Sequence, residues 1–161
     1  MRSLGIDPGK DGAFALTVNG QLEKTWRMPS SAGELAMCEI IKIIGEASPT
    51  VITLEKVSGH PGMALKATWG FAQNYGEVRG LIRLWCERHQ IRFLQPTPQN
   101  WQKIVHKFAT STSKDPKIKT QQAVSALFPA EVALLKNKKD GFHSGLCDAV
   151  GIALYGERYG K

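Results

Sequence analysis

The chain opens with Leu4-Gly5-Ile6-Asp7-Pro8-Gly9-Lys10-Asp11-Gly12-Ala13, an apolar run that ends on a carboxylate and then turns back sharply. The run up to Asp7 is typical of a β-strand, and Pro8, Gly9 and Gly12 predict a tight turn. Because glycine has no Cβ, a phosphate or a metal ion can approach the backbone of such a turn closely. The stretch therefore predicts an acid at a strand tip. In a plain β-hairpin that acid would only bond the turn amides.

Hydrophobic periodicity extends this start into an α/β fold. Asn19-Gly20 is a type I′ hairpin signal, so three antiparallel strands are expected first, and Ser30 or Ser31 could cap the helix that follows. The predicted elements are strands over 2–7, 12–18 and 21–28, a helix over 32–47, a strand over 51–55, a helix over 63–89, a strand over 91–95, and helices from 97 or 98 to 108, over 116–128 and from 142 or 143 to 155.

Two further acids occupy positions like that of Asp7. Glu55 ends the strand Val51-Ile52-Thr53-Leu54-Glu55, and a crossover helix should place this strand parallel to the first. Asp7 and Glu55 would then share the carboxyl edge of the sheet, where ligands collect in open α/β sheets. Asp148 lies between Cys147 and Ala149 on the last helix, and burying it is costly unless it meets a cation or hydrogen-bond donors.

Composition indicates a single domain, 1–161, with a polyanionic partner. The 21 Lys and Arg outnumber the 14 Asp and Glu, giving a net charge of +7, which suits nucleic acid, although a solvated basic surface is the alternative. No apolar run is long enough to span a bilayer and no signal peptide is recognisable, so we expect a cytoplasmic protein. The cysteines Cys38, Cys86 and Cys147 are expected to be reduced core thiols.

Three converging carboxylates repel one another, so their site needs hard divalent cations. Mg²⁺ is the natural choice and Mn²⁺ should substitute for it. Two ions about 3.5 to 4 Å apart can activate a water molecule and stabilise the leaving oxygen during phosphodiester cleavage. A basic surface around an acidic centre therefore predicts a nuclease.

Together these motifs resemble a known family. Gly5-Ile6-Asp7-Pro8-Gly9, Leu54-Glu55 and the run from Cys147 to Leu154 resemble the RuvC-type Holliday junction resolvases of the ribonuclease H-like superfamily, and Lys117 to Pro129 looks most like their phage relatives. The resemblance implies a mixed five-stranded sheet flanked by helices, and a homodimer acting in DNA recombination and repair. It also implies symmetric, Mg²⁺-dependent cutting of four-way DNA junctions, in the host-cell cytoplasm or nucleoid if the protein is phage-encoded. The helix bearing Val78, Leu81, Ile82 and Trp85 is the expected dimer interface.

The resemblance also implies roles for individual residues. Asp7, Glu55 and Asp148 would be metal ligands, and a fourth catalytic group is expected shortly before Asp148. Ser144 and Gly145 are poor ligands, so His143 is the candidate for a metal-binding or water-activating role, with Asp140 behind it. Alternatively, His143 only starts the helix.

Contacts to DNA are predicted for two kinds of residue. Trp69 and Tyr75 could stack on bases, or could simply be core aromatics. Lysines after the last strand or beside the acids could bind phosphates, or form a solvated face. These lysines are Lys10, Lys56, Lys103, Lys107, Lys114, Lys117 and Lys119.

Two other functions fit the same residues. A ribonuclease H-fold nuclease could act on RNA or on other branched DNA, and a non-catalytic protein could bind junctions without cutting them. The sugar-kinase and actin-type ATPases share the Asp-x-Gly turn, but they need two such domains and 161 residues hold one.

Overall fold

A computed structural model describes residues 1–31, 34–57, 64–110, 112–137 and 141–161, with only the backbone described at 66 and 67. The strands are β1 (Arg2–Asp7), β2 (Ala13–Val18), β3 (Gln21–Arg27), β4 (Ser30–Ser31), β5 (Glu34–Leu35), β6 (Val51–Leu54) and β7 (Arg92–Leu94). The α-helices are α1 (Met37–Ala47), α2 (Leu65–His89), α3 (Pro98–Val105), α4 (Pro116–Leu127) and α5 (Ser144–Tyr159), with short 3₁₀ helices at His106–Phe108 and Val132–Leu135.

The main sheet has five strands in the order β3-β2-β1-β6-β7. The strand β1 pairs antiparallel with β2 and parallel with β6, and β6 pairs parallel with β7. Asn19 and Gly20 both have positive φ, 51° and 85°, as a type I′ turn requires. The prediction of a mixed α/β sheet flanked by helices is confirmed.

The sheet separates two cores. Leu4 and Ile6 of β1 pack in one core with α1 and α2, whereas Ala13 and Ala15 of β2 pack in the other with α3, α4 and α5. Because successive residues of a strand point to opposite faces, Gly5 and Asp7 lie on the α5 side. The sheet therefore carries Asp7 on the face that α5 covers.

Glycines allow α5 to lie very close to this face. A Cβ on Gly5 would overlap the carbonyl oxygen of Ala149 and the amide nitrogen of Ala153. A Cβ on Gly156 would overlap the hydroxyls of Ser3 and Thr53. Any side chain at these positions would push the helix away from the sheet, so the glycines determine the depth at which α5 packs.

The start of α1 differs from the prediction. Ser30 and Ser31 form β4 instead of capping a helix, and β4 pairs with β5. The amide of Ala36 donates to the carbonyl of Pro29 at 3.0 Å, which closes this small ribbon before α1 begins at Met37. Burial of Leu35 in the strand satisfies the apolar pattern that suggested a longer helix.

Two other predictions need correction. Cys38 is exposed, whereas Cys86 and Cys147 are buried as expected, and burial raises the pKa of their thiols to about 11 and about 12. The last helix continues to Tyr159, four residues beyond the predicted end at Tyr155, and the ring centres of these two tyrosines lie 4.6 Å apart. Among the described residues, no helix has the length and apolar character needed to cross a membrane.

Candidate active site

Asp7 and Glu55 stand side by side at the carboxyl edge of the sheet. The last parallel pair between β1 and β6 joins Ile6 to Leu54, and each acid follows its member of that pair. The amide of Glu55 donates to the carbonyl of Ile6 at 3.1 Å, which extends the register by one residue. Alternation along both strands therefore points the two carboxylates to the side of α5.

Asp148 reaches the same edge from the first turns of α5. The start of this helix lies against the turn after β1, where a Cβ on Gly145 would be 2.5 Å from the carbonyl oxygen of Asp11 and 3.1 Å from Oδ2 of Asp7. Gly145 thus permits the contact that brings the helix over the acid of β1. Gly145, which was predicted to be a poor ligand, is therefore needed because it has no side chain to block this contact.

The three carboxyl groups affect one another electrostatically. Burial raises the pKa of Asp7 to about 6, that of Glu55 to about 7 and that of Asp148 to about 7. The charge of Asp7 further raises the pKa of Glu55, and both Asp7 and Glu55 raise that of Asp148. The structure therefore brings together the three acids that the sequence singled out.

The chemistry of this donor set fits a hard divalent cation. All three groups offer oxygen, and their mutual repulsion in a buried place would be relieved by positive charge. Within the part of the chain that the structure describes, no three acidic, histidine or cysteine side chains are grouped closely enough to share one ion. Mg²⁺ commonly takes one or two carboxylates and keeps several waters, so pairs drawn from Asp7, Glu55 and Asp148 would suit it.

Trp101 holds the side chain of Glu55 in place. Its indole Nε1 donates to Oε1 of Glu55 at 2.8 Å, and the ring is only 1% exposed. The ring also packs against Gly151, where a Cβ would lie 2.8 Å from Cζ3 of the indole. This hydrogen bond lowers the pKa of Glu55 against the larger effect of burial. Sequence analysis missed this role, although a buried indole N–H usually needs an acceptor.

His143 lies at the N-terminus of α5, where it caps the helix. Its Nδ1 accepts from the amide of Leu146 at 3.3 Å, so the neutral ring carries its hydrogen on Nε2. Burial and the charge of Arg27 lower its pKa, while Asp11 raises it. To bind a metal ion through a ring nitrogen, His143 would have to change tautomer or release the cap. Asp140, Lys138 and Lys139 lie outside the described residues.

Among the predicted lysines, Lys117 is the one whose charge reaches the acids. It lowers the pKa of both Asp7 and Asp148 from the first turn of α4. That turn is fixed by Asp115, whose Oδ1 accepts from the amide of Lys117 at 2.8 Å. Lys119, two residues further on, instead lowers the pKa of His106.

The other predicted DNA contacts lie elsewhere. Lys103 and Lys107 line a groove between α3 and the end of α5, and Lys10, Lys56 and Lys114 are exposed. Trp69 is 73% exposed, as a base-stacking residue would need to be. Tyr75 instead packs against the core of α1 and α2, and its hydroxyl accepts from Nε2 of Gln95 at 2.6 Å.

Comparison with solved structures places this architecture among known folds. Thermus thermophilus RuvC in complex with a Holliday junction substrate has a TM-score of 0.66 and 17% identity, over 99% of this chain and 95% of that one. The Fowlpox virus resolvase in complex with a Holliday junction has a TM-score of 0.62 and 14% identity, over 100% of both chains. This chain has a RuvC-like fold.

A third solved structure similar to this chain is that of a mitochondrial protein. The yeast mitochondrial Holliday junction resolvase Ydc2 has a TM-score of 0.54 and 15% identity, over 93% of this chain and 75% of that one. No protein-family model and no curated protein matches the sequence. The likeness therefore concerns the ribonuclease H-like architecture, and the resemblance seen in the motifs is confirmed at that level.

Proposed function

We propose that this protein is a divalent-metal-dependent endonuclease that cuts four-way DNA junctions by phosphodiester hydrolysis, in DNA recombination or repair. The observation that carries the proposal is geometric: Asp7 and Glu55 follow paired strand ends at one edge of a RuvC-like sheet, and the start of α5, which bears Asp148, packs against that edge. The net charge of +7 supports a nucleic-acid substrate, because phosphates repelled by the three acids need compensating cations nearby.

The proposed roles follow from position. Asp7, Glu55 and Asp148 would hold one or two Mg²⁺ ions, or Mn²⁺ in their place. When bound there, such ions activate a water molecule and stabilise the leaving oxygen. Trp101 keeps Oε1 of Glu55 at a fixed place, and Lys117 supplies positive charge beside Asp7 and Asp148 for the scissile phosphate.

His143 is the proposed fourth group of this site. Burial holds its pKa below the ordinary value, so the ring is neutral at pH 7 and can accept a proton. Using the ring in this way requires Nδ1 to leave the amide of Leu146. The role of His143 is therefore tied to the first turn of α5.

We also propose that two copies act together, since two equivalent sites suit the two equivalent strands of a junction. The helix predicted as the interface is α2, and its apolar stripe is not available for such a contact, because Val78 and Ile82 are fully buried in this chain's own core, and Leu81 and Trp85 pack against it. The opposite face of α2 carries the 65% exposed Leu84, together with Gly76 and Gly80, at which an added Cβ would have no atom within 4 Å. This outer face is the proposed dimer contact.

The deciding experiment is cleavage of a labelled synthetic four-way junction in Mg²⁺ and in EDTA. We expect paired symmetric nicks that need the metal and disappear in Asp7→Asn. Glu34→Gln is the control, because it makes the same carboxylate-to-amide change at an exposed residue of β5, outside the set of three. Equal cutting by Asp7→Asn and the wild type would contradict the proposal.

The same assay separates the two alternative functions. Duplex, flap and RNA/DNA hybrid substrates are tested beside the junction. Cutting of the hybrid alone would assign the protein to the ribonucleases that share this fold. Tight junction binding without cutting in either Mg²⁺ or Mn²⁺ would assign it to the non-catalytic binding proteins.

A further inference from the structure

A basic groove lies between α3 and the C-terminal end of α5, apart from the three acids. Its volume is about 460 Å³, and its lining includes Lys103 of α3, Lys107 of the 3₁₀ helix that follows it, and Arg158 of α5. None of the described side chains that line it is acidic. The groove thus gathers three cations from three elements, and no described residue of its lining supplies a compensating anion.

These cations have no carboxylate partner in the part of the chain that the structure describes. The ion pairs found there join Arg2 to Glu23, Lys24 to Glu46, Lys42 to Glu39 and Arg83 to Glu87. Like charges held around one cavity repel one another, so the arrangement favours an anionic ligand. Glu157, the acid next to Arg158 in sequence, is turned away and accepts from the amide of Gly20 at 3.0 Å.

Two tyrosines, Tyr155 and Tyr159, also line the groove, where their rings contact each other and that of Tyr159 lies against Arg158. The rings of Tyr155 and Tyr159 lie 4.6 Å apart, and the guanidinium of Arg158 lies 5.8 Å from the centre of the Tyr159 ring. A guanidinium placed against an aromatic ring loses little further freedom when it binds phosphate. Asn100 adds a side-chain amide that can donate to phosphate oxygens.

The position of the groove along α5 gives its distance from the acids. Tyr155 and Tyr159 follow Asp148 by seven and eleven residues, and a rise of 1.5 Å per residue places them about 10 to 16 Å further along the helix. Stacked base pairs advance by about 3.4 Å, so a duplex lying along α5 would present phosphates about three to five nucleotides from the cut.

We propose that this groove binds the phosphodiester backbone of one duplex arm, about three to five nucleotides from the scissile phosphate. The inference rests on the proposed function for its substrate, and it assigns Lys103 and Lys107 to the arm rather than to the cut. The groove would set the direction in which the arm leaves the site.

The test is junction binding by the full-length protein in EDTA, measured by fluorescence anisotropy at several salt concentrations. The variant carries Lys103→Gln, Lys107→Gln and Arg158→Gln. Lys42→Gln is the matched control, because Lys42 is an exposed lysine on α1, which packs on the other side of the sheet. We expect the triple variant to bind roughly tenfold or more weakly, with a salt slope smaller by about two to three. Lys42→Gln should match the wild type.

Neutral methylphosphonates then locate the contact. Placed about three to five nucleotides from the cut, they should weaken binding by the wild type but not by the triple variant. Placed at the far end of the arm, they should affect neither protein. A triple variant with the affinity and salt slope of the wild type would overturn the proposal, as would equal weakening of both proteins at the near positions.

The experiments can contradict the arm-binding proposal without contradicting the proposed nuclease function, and the reverse is also true. A protein that cuts junctions while the triple variant binds normally lacks the arm contact but keeps the activity. A protein that loses arm binding in the triple variant yet never cuts keeps the groove but is not a nuclease. Circular dichroism melting of the triple variant should match the wild type, since Lys103, Lys107 and Arg158 are all exposed.

Discussion

At the scale of single residues, the hydrogen bond from Trp101 to Glu55 tests how the acids are held. We expect Trp101→Phe to keep most of the packing but to release Oε1, which should weaken Mn²⁺ binding by about 10- to 100-fold. Isothermal titration with Mn²⁺ measures this directly, beside junction binding in EDTA as a readout that should not change. Trp26→Phe is the matched control, because Trp26 donates to the surface acid Glu46. Unchanged Mn²⁺ affinity in Trp101→Phe would show that the bond is only structural.

The two functions open to His143 can also be separated by substitution. Asparagine is a good N-cap, so His143→Asn should retain the melting temperature, whereas His143→Ala should lose about 1 kcal/mol of stability. If the ring takes part in the reaction, both variants should cut junctions more slowly than the wild type. Full cleavage by His143→Asn would leave the residue with helix capping alone.

The three acids could be predicted from the sequence, whereas the hydrogen bond from Trp101 that holds Glu55 in place could not. Asp7 and Glu55 were predictable because each ends a strand, and strand ends are local signals. The bond between Trp101 and Glu55 spans 46 residues of sequence, and its existence depends on how α3 packs, which no local pattern encodes.

At the scale of secondary-structure elements, α5 and α3 are fitted together at Gly151. A Cβ there would lie 2.8 Å from Cζ3 of Trp101, so Gly151→Ala must displace the indole. We expect a loss of about 1 to 3 kcal/mol in urea unfolding, together with weaker Mn²⁺ binding. Gly45→Ala in α1 is the control, since nothing lies within 4 Å of its Cβ, and it should be neutral or stabilising by up to about 1 kcal/mol. Equal stability of the two variants would argue against a tight fit.

Most elements could be predicted from periodicity, and the exceptions have a physical reason. The type I′ turn at Asn19-Gly20 and the buried strand β6 have strong local signals. At Ser30-Ser31 two good capping residues precede an apolar run, yet pairing of β4 with β5 satisfies the backbone before α1 begins. Local pairing of two short neighbouring strands thus takes precedence over the capping preference of the two serines.

At the scale of the whole molecule, the coupled acids make stability depend on pH. Between about pH 4 and pH 7 the folded protein holds more protons on Asp7, Glu55 and Asp148 than the unfolded chain does. The free energy of unfolding of the metal-free protein should therefore fall as pH rises through this window, as far as these groups determine it. Mg²⁺ should raise the melting temperature more at pH 8 than at pH 5. Equal stabilisation by Mg²⁺ at both pH values would mean that it does not bind these carboxylates.

The proposed pairing of two copies is tested on the outer face of α2. Leu84→Lys should shift the sedimentation coefficient from that of a dimer to that of a monomer, because Leu84 is 65% exposed in a single chain. Leu134→Lys is the control on another surface, where Leu134 is 40% exposed. Dimers that persist in Leu84→Lys would place the interface elsewhere. The sequence could show that α2 has an apolar stripe, but not that its own sheet covers that stripe.

The close contact of α5 with the sheet also bears on how such a protein can change over evolutionary time. At Gly5, Gly145, Gly151 and Gly156 even one methyl group meets atoms that cannot easily move, whereas most surface positions face water. Replacement is therefore far more restricted at these four positions than at the exposed ones. A chain with this packing can accept many substitutions on its surface, provided that the helix keeps its close contact with the sheet.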